Sequence, residues 1–421
     1  MIKLYKFELV IVVYLIIQST YGQLEREIYW GEFFLMLIIL FGMRLKYTYM
    51  SNHQNYLGFM IYFSYILPMI AMIAGSFHDD FDWLYSLRHA TYFLYGAFFI
   101  FAFVHAYRII YILGKLVPVV FVLSFINGSW HLMGMAWVGI ASNPVLRKYT
   151  IVVIFITILN MLFLGETISD SLYERLMTIT VVATITATLL KRWATLYDKK
   201  SIIIIRSFIL TGFVLMVGFF LFLSIFVREL HLENATSFGD ISDNVSVIDD
   251  NNTTWRAAYW GYLLGRLPEN PAGIGIGRPI LPLSVKNVFL YDQGRGLRYE
   301  HFFTAAHNGL VTLTVLTGPF FLIPFIFFLW HIPRLVYKSV SAYSVDKNSG
   351  ILLLVLFLNA LHAFIGIGVH VYLESPLHAS IVWVALGLWF RMAVDYGNAG
   401  FIMVKNSKET RKIPLTWGDE V

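Results

Sequence analysis

The stretch "HNGLVTLTVLTGPFFLIPFIFFLW", residues 307–330, decides the class of fold. After its first two residues it carries no charge. About 20 apolar residues in helical form cross the hydrocarbon layer of a bilayer. Backbone groups have no water to bond there and must satisfy one another. Similar runs recur along the 421 residues, of which 58% are hydrophobic and 14% charged. The chain is therefore expected to be an all-α polytopic membrane protein, and a water-soluble core is excluded.

Apolar runs fall near 7–20, 29–43, 57–74, 91–105, 110–127, 149–166, 173–190, 203–227, 306–330, 350–371 and 376–394, with a shorter one at 130–141. They predict 11 to 12 transmembrane helices. The division is N-terminal spans over 1–227, a large extracytoplasmic loop over 228–305, C-terminal spans over 306–394 and a tail over 395–421. Residues 1–22 have the look of a signal peptide, with Lys3 and Lys6 ahead of an apolar run. So many spans follow that an uncleaved first helix is the expectation.

There is no cysteine, which removes disulfides and thiolate metal sites from consideration. The net charge of +5 does not point to nucleic acid, because excess Lys and Arg in such a chain mark cytoplasmic loops. Arg44, Lys46, Arg147, Lys148, residues 191–200, Arg334, Lys338 and the tail would all face the cytoplasm with both termini inside. The acidic turns 77–83 and 166–174, and the loop 228–305, then lie outside.

That loop divides by charge. Residues 228–255 hold six acidic residues and one basic in a Ser/Asn-rich stretch that reads as a solvated linker. Asn234, Asn244, Asn251 and Asn252 begin glycosylation sequons there. Residues 256–305 hold six basic residues, Arg256, Arg266, Arg278, Lys286, Arg295 and Arg298, against three acidic. A short amphipathic helix is expected from Thr253 or Thr254 to Pro268. "GIGIG", 273–277, follows it, and its glycines permit tight turns or close approach of the backbone to a ligand.

Clustered arginines above an apolar bundle suit an anionic amphiphile, since the planar guanidinium gives phosphate two parallel charge-assisted bonds. The alternative is that they pair with acids or lipid headgroups. His307 can take a proton near neutral pH or steady a phosphate; otherwise it is an ordinary interfacial histidine. Asn308 can orient it or cap the helix. A second reading rests on "FHDDFDW", where His78, Asp79, Asp80 and Asp82 offer hard ligands for a divalent cation.

The order of parts, "RAAYWGYLLGRLPENPAGIGIG" (256–277) and then "HNGLVTLTVLTG" (307–318), resembles the hallmark region of the bacterial O-antigen polymerase and O-antigen ligase family. "GSWHLMGMAWVGIASNP" and the closing helix pair agree more loosely. The family often has a Ser-Arg pair where this chain reads "ISDSLYERL", a departure from the pattern in which Arg175 is the nearest arginine, its equivalence left open. The resemblance implies a metal-independent, inverting transfer of a glycan from undecaprenyl diphosphate, without a cofactor, on the periplasmic side of the inner membrane. Arg256 would bind the diphosphate and His307 would lie beside the reacting centre. Arg266, Arg278, Arg295, Arg298 and Asn308 are further candidates for contacting substrate, which the family pattern does not all fix. Expected partners are the lipid-linked oligosaccharide, membrane lipids and a chain-length regulator, with no nucleic acid. Polymerisation is the leading expectation and ligation to lipid A-core the alternative. A flippase or transporter would show internal repeats and charges at mid-membrane, and the sequence offers only Lys115 and Arg206 near span ends.

Overall fold

The structure is a computed structural model that describes residues 6–21, 30–39, 56–127, 130–164, 259–278, 280, 308–345, 347–369 and 376–405. Among these residues the regular elements are helices and no strand occurs. In chain order they are α1 (Lys6–Tyr21), α2 (Trp30–Leu37), α3 (Tyr56–Ser76, with a π turn at Tyr62–Ile66), α4 (Trp83–Leu94), α5 (Ala97–Val104), α6 (Ala106–Asn127), α7 (Trp130–Ser142) and α8 (Thr150–Leu164). After a helical stretch at 259–265 come α9 (Gly309–Thr317), α10 (Pro319–Val345), α11 (Lys347–Val369) and α12 (Pro376–Lys405).

Among the described residues, five segments are long and apolar enough to cross a membrane: Tyr56–Ser76, Ala106–Ile126, Pro319–Ser339, Gly350–Ile367 and His378–Tyr396. Phe7–Ser19 and His89–Val104 are shorter apolar helices. Large apolar side chains remain exposed on several of them, including Ile17, Ile66, Met69, Val122 and Ile323. Apolar surface on this scale is unfavourable in water and fits a lipid solvent. The spans expected at 173–190 and 203–227, and Arg175 and Arg206 with them, lie outside the described residues.

The structure departs from expectation in places. The run 306–330 is not one helix: α9 stops at Gly318, and α10 starts at Pro319. Gly318 has φ +54, a conformation that a side chain disfavours, and proline is suited to a helix start. The final helix continues to Lys405, past the boundary expected at 394. Lys115 falls inside α6, its ammonium 5.4 Å from the Tyr111 ring centre, not near an end.

The core is built where α5, α12, α3 and α10 meet. Gly387 brings the α12 backbone against that of Phe99 on α5, and such small residues let membrane helices approach closely. Aromatic rings fill the surrounding space: Phe328 stacks on Phe390 with centroids 5.0 Å apart, and Phe63 meets Trp383 at 5.2 Å.

These contacts also give helix directions. Tyr56 touches Phe390 while Phe63 touches Trp383, so α3 and α12 are antiparallel. Phe99 lies beside Trp383 and Phe103 beneath Arg391, so α5 runs parallel to α12. His131 meets His362 and Gly134 meets Asn359, so α7 and α11 are antiparallel. One end of the bundle therefore carries the 77–82 turn, the start of α7, residues 270–278 with the C-terminal end of α9 that they bond, and the start of α12.

The opposite end carries Arg147, Lys148, Arg334 and Lys338 and two ion-paired groups. Glu8 of α1, its side chain 6% exposed, accepts from Arg108 Nη1 at 2.8 Å and lies 3.0 Å from His105 Nδ1 at the α5–α6 turn. Asp395 accepts from the Tyr107 hydroxyl at 2.8 Å and from Arg391 Nε at 2.6 Å. Together they tie both chain-end helices to the α5–α6 turn.

Candidate functional site

The end opposite those groups gathers the two motif stretches. Asn308 is 2% exposed and extended, and its side-chain oxygen accepts from the amides of Leu310 (3.0 Å) and Val311 (3.2 Å). It is the N-cap of α9, satisfying two donors that a helix start leaves open. Every α9 residue except Leu310 is buried, so a missing cap would leave amides far from water.

At the other end of α9 the glycine-rich turn is fitted into a seam. Ile274 and Gly275 donate their amides to the carbonyls of Val315 (2.9 Å) and Leu316 (3.1 Å). Ile276 donates to Ala71 of α3 at 2.9 Å, and Asp82 donates to Gly277 at 2.8 Å. Gly273, Gly275 and Gly277 have φ of +88, +82 and +94, and the isoleucines between them are buried. Alternating left-handed glycines and buried isoleucines let the backbone lie flat against two helices at once. A Cβ on Gly273 would stand 2.6 Å from the Leu316 carbonyl oxygen. Of the two uses the glycines allow, the structure takes close approach, and what they approach is the protein's own helices.

The arginines of this region are anchored. Arg278 donates from Nε to Asp80 Oδ1 at 2.6 Å, from Nη2 to Asp80 Oδ2 at 3.2 Å and from Nη1 to the Ile274 carbonyl at 3.3 Å. Arg266 donates from Nη1 to the Ile280 carbonyl at 3.0 Å. The acidic turn and the basic half-loop, rivals in the sequence, are thus joined. Burial alone would raise the Asp80 carboxyl, but the bonds and charge of Arg278 outweigh it and hold Asp80 below its ordinary value of 3.8. Asp80 is 45% exposed, so solvent discounts the pair to about 1 kcal/mol or less.

Among the described residues no three His, Asp or Glu are arranged to hold a metal ion. Arg256, Arg295, Arg298 and His307 lie outside the described residues. Of the expected contacts, then, Asn308, Arg266 and Arg278 are placed: Asn308 caps α9 and the arginines brace the turn beside its far end.

One polar group escaped sequence reasoning. His131 of α7, His362 of α11 and His378 of α12 cluster, with His131 ring centres 4.9 Å from His362 and 5.4 Å from His378. His131 and His362 line a cavity of about 40 Å³ with Asn359 and apolar side chains of α1, α6 and α12. That volume suits roughly one or two waters and not a sugar. The available signal was the i, i+3 spacing of Asn359 and His362 on an otherwise apolar helix.

Comparison of the chain with protein-family models, with curated proteins and with solved structures finds no match in any of the three.

Proposed function

We propose that the chain is a membrane glycosyltransferase that polymerises undecaprenyl-diphosphate-linked oligosaccharide repeats of a surface polysaccharide, in the manner of the O-antigen polymerases it resembles. The observation that carries the reading is the seam: two stretches about 30 residues apart in sequence, both central to the resemblance, pack as one unit through Ile274, Gly275, Val315 and Leu316. Gly318, the glycine that closes the second stretch, backs onto the first, since a Cβ there would lie 2.8 Å from the Pro271 carbonyl oxygen.

The basic residues support the orientation. Arg147, Lys148, Arg334 and Lys338 belong to the end opposite the seam, and by the positive-inside tendency this distribution supports the reading of the seam as periplasmic. In the reaction the acceptor hydroxyl oxygen attacks the anomeric carbon of the donor, the carbon–oxygen bond to the diphosphate breaks, and undecaprenyl diphosphate leaves. His307, next to the capping Asn308, receives the hydroxyl proton. Arg256 meets the charge that grows on the leaving diphosphate. No metal or cofactor takes part in this scheme, and a chain-length regulator would act as a partner from outside the active site.

The test is transfer from a synthetic lipid-diphosphate donor by the purified protein, with and without EDTA. Transfer that survives EDTA and is lost in His307→Ala and Arg256→Ala is expected. No transfer under either condition would remove the enzyme reading and favour a transporter, and loss on EDTA treatment alone would favour a metal-dependent enzyme. Gene deletion separates the acceptors: single repeats left on the core indicate a polymerase, bare core a ligase.

A further inference from the structure

Arg278 raises a question of capacity. A guanidinium has five N–H donors, and here Nε, Nη1 and Nη2 each already serve an acceptor. Its side chain is only 15% exposed. The two acceptors differ in origin: the Asp80 carboxylate belongs to the turn after α3, and the Ile274 carbonyl to the glycine turn itself. Arg278 thereby closes the turn on itself and fastens it to the α3–α4 connection. The backbone bonds from Ile276 to Ala71 and from Asp82 to Gly277 fall between those two attachments.

We infer that Asp80 and Arg278 form a clasp that positions the glycine turn, and with it the end of α9, and that Arg278 does not bind the donor diphosphate. Asp80 is the positioning residue, acting through Arg278. The clasp holds α3, residues 273–278 and α9 in one register, so the C-terminal end of α9 is fixed relative to the 77–82 turn. Its effect on transfer rests on the glycosyltransferase reading; the clasp itself does not.

The experiment uses the full-length protein in lipid nanodiscs with two readouts, amide hydrogen exchange of residues 273–278 and transfer kinetics with the synthetic lipid-diphosphate donor. Asp80→Ala and Arg278→Ala are each expected to speed exchange of these amides by about two- to fivefold, and to lower kcat while changing donor KM less than about twofold. Asp80→Glu should recover most of both. The double variant Asp80→Arg with Arg278→Asp, which reverses the pair, should slow exchange again. Unchanged exchange in the single variants would overturn the clasp. So would a rise of about tenfold in donor KM for Arg278→Ala that Asp80→Ala does not share, because Arg278 would then hold the donor. If the wild type transfers no glycan, the functional reading fails, while the exchange data still decide the clasp.

Discussion

Asn308 and Asp80 show how much a single polar atom depends on its surroundings. The Asn308 oxygen accepts from two amides at a helix start that is largely buried. Asn308→Ala is expected to cost about 1–2 kcal/mol, read as a lower Tm in detergent, whereas Asn308→Asp keeps the acceptor and should stay near wild type. For Asp80 the sign follows from its lowered folded value. Its contribution is complete above the ordinary carboxylate range and is lost only as pH falls below 3.8 through the depressed folded value. Arg278 across the turn, and His78 close by in sequence, both favour its charged form. Exchange at 273–278 should therefore show no clasp-dependent change between pH 8 and about pH 5, and an Asp80→Asn variant should be loosened across that whole range.

At the scale of elements the break at Gly318 is the main correction to the sequence reading. Hydropathy registers only that 306–330 is apolar, and a break between two apolar halves leaves that signal intact. The decisive facts are the positive φ of Gly318 and the carbonyl of Pro271 behind it, and the partner comes from another part of the chain. Gly318→Ala should destabilise by about 1–2 kcal/mol through backbone strain, with a larger effect where Pro271 cannot yield; thermal unfolding measures it. The anchoring of α1 was equally hidden. In the sequence Glu8 is one more charge beside Lys3 and Lys6 at the mouth of an apolar helix, and nothing there points to His105 and Arg108. Glu8→Ala should lower stability by about 1–2 kcal/mol, since Arg108 keeps some contact with solvent and the loss is correspondingly softened.

For the whole molecule the prediction concerns sidedness. The natural chain has no cysteine, so single substitutions can be labelled without background. Asp79→Cys, in the exposed turn at the seam end, is expected to react with a membrane-impermeant maleimide added outside intact cells. Lys148→Cys, exposed at the opposite end, should react only after the membrane is opened. The reverse pattern would invert the orientation and place the seam in the cytoplasm.

The helical class, the membrane solvent and the approximate positions of most described helices were legible in the sequence, because hydrocarbon leaves an apolar backbone no alternative to the helix. Asn308 as a cap and the glycines as a close-packed turn were legible as types of residue, since local geometry limits what each can do. What the glycines pack against, which acid Arg278 meets and which histidines share a cavity were decided by tertiary structure. Asp80 and Arg278 stand 198 residues apart, as do no two groups that helical periodicity can relate. Charge pattern marks such residues as available, and only the fold brings one carboxylate within bonding distance of one guanidinium.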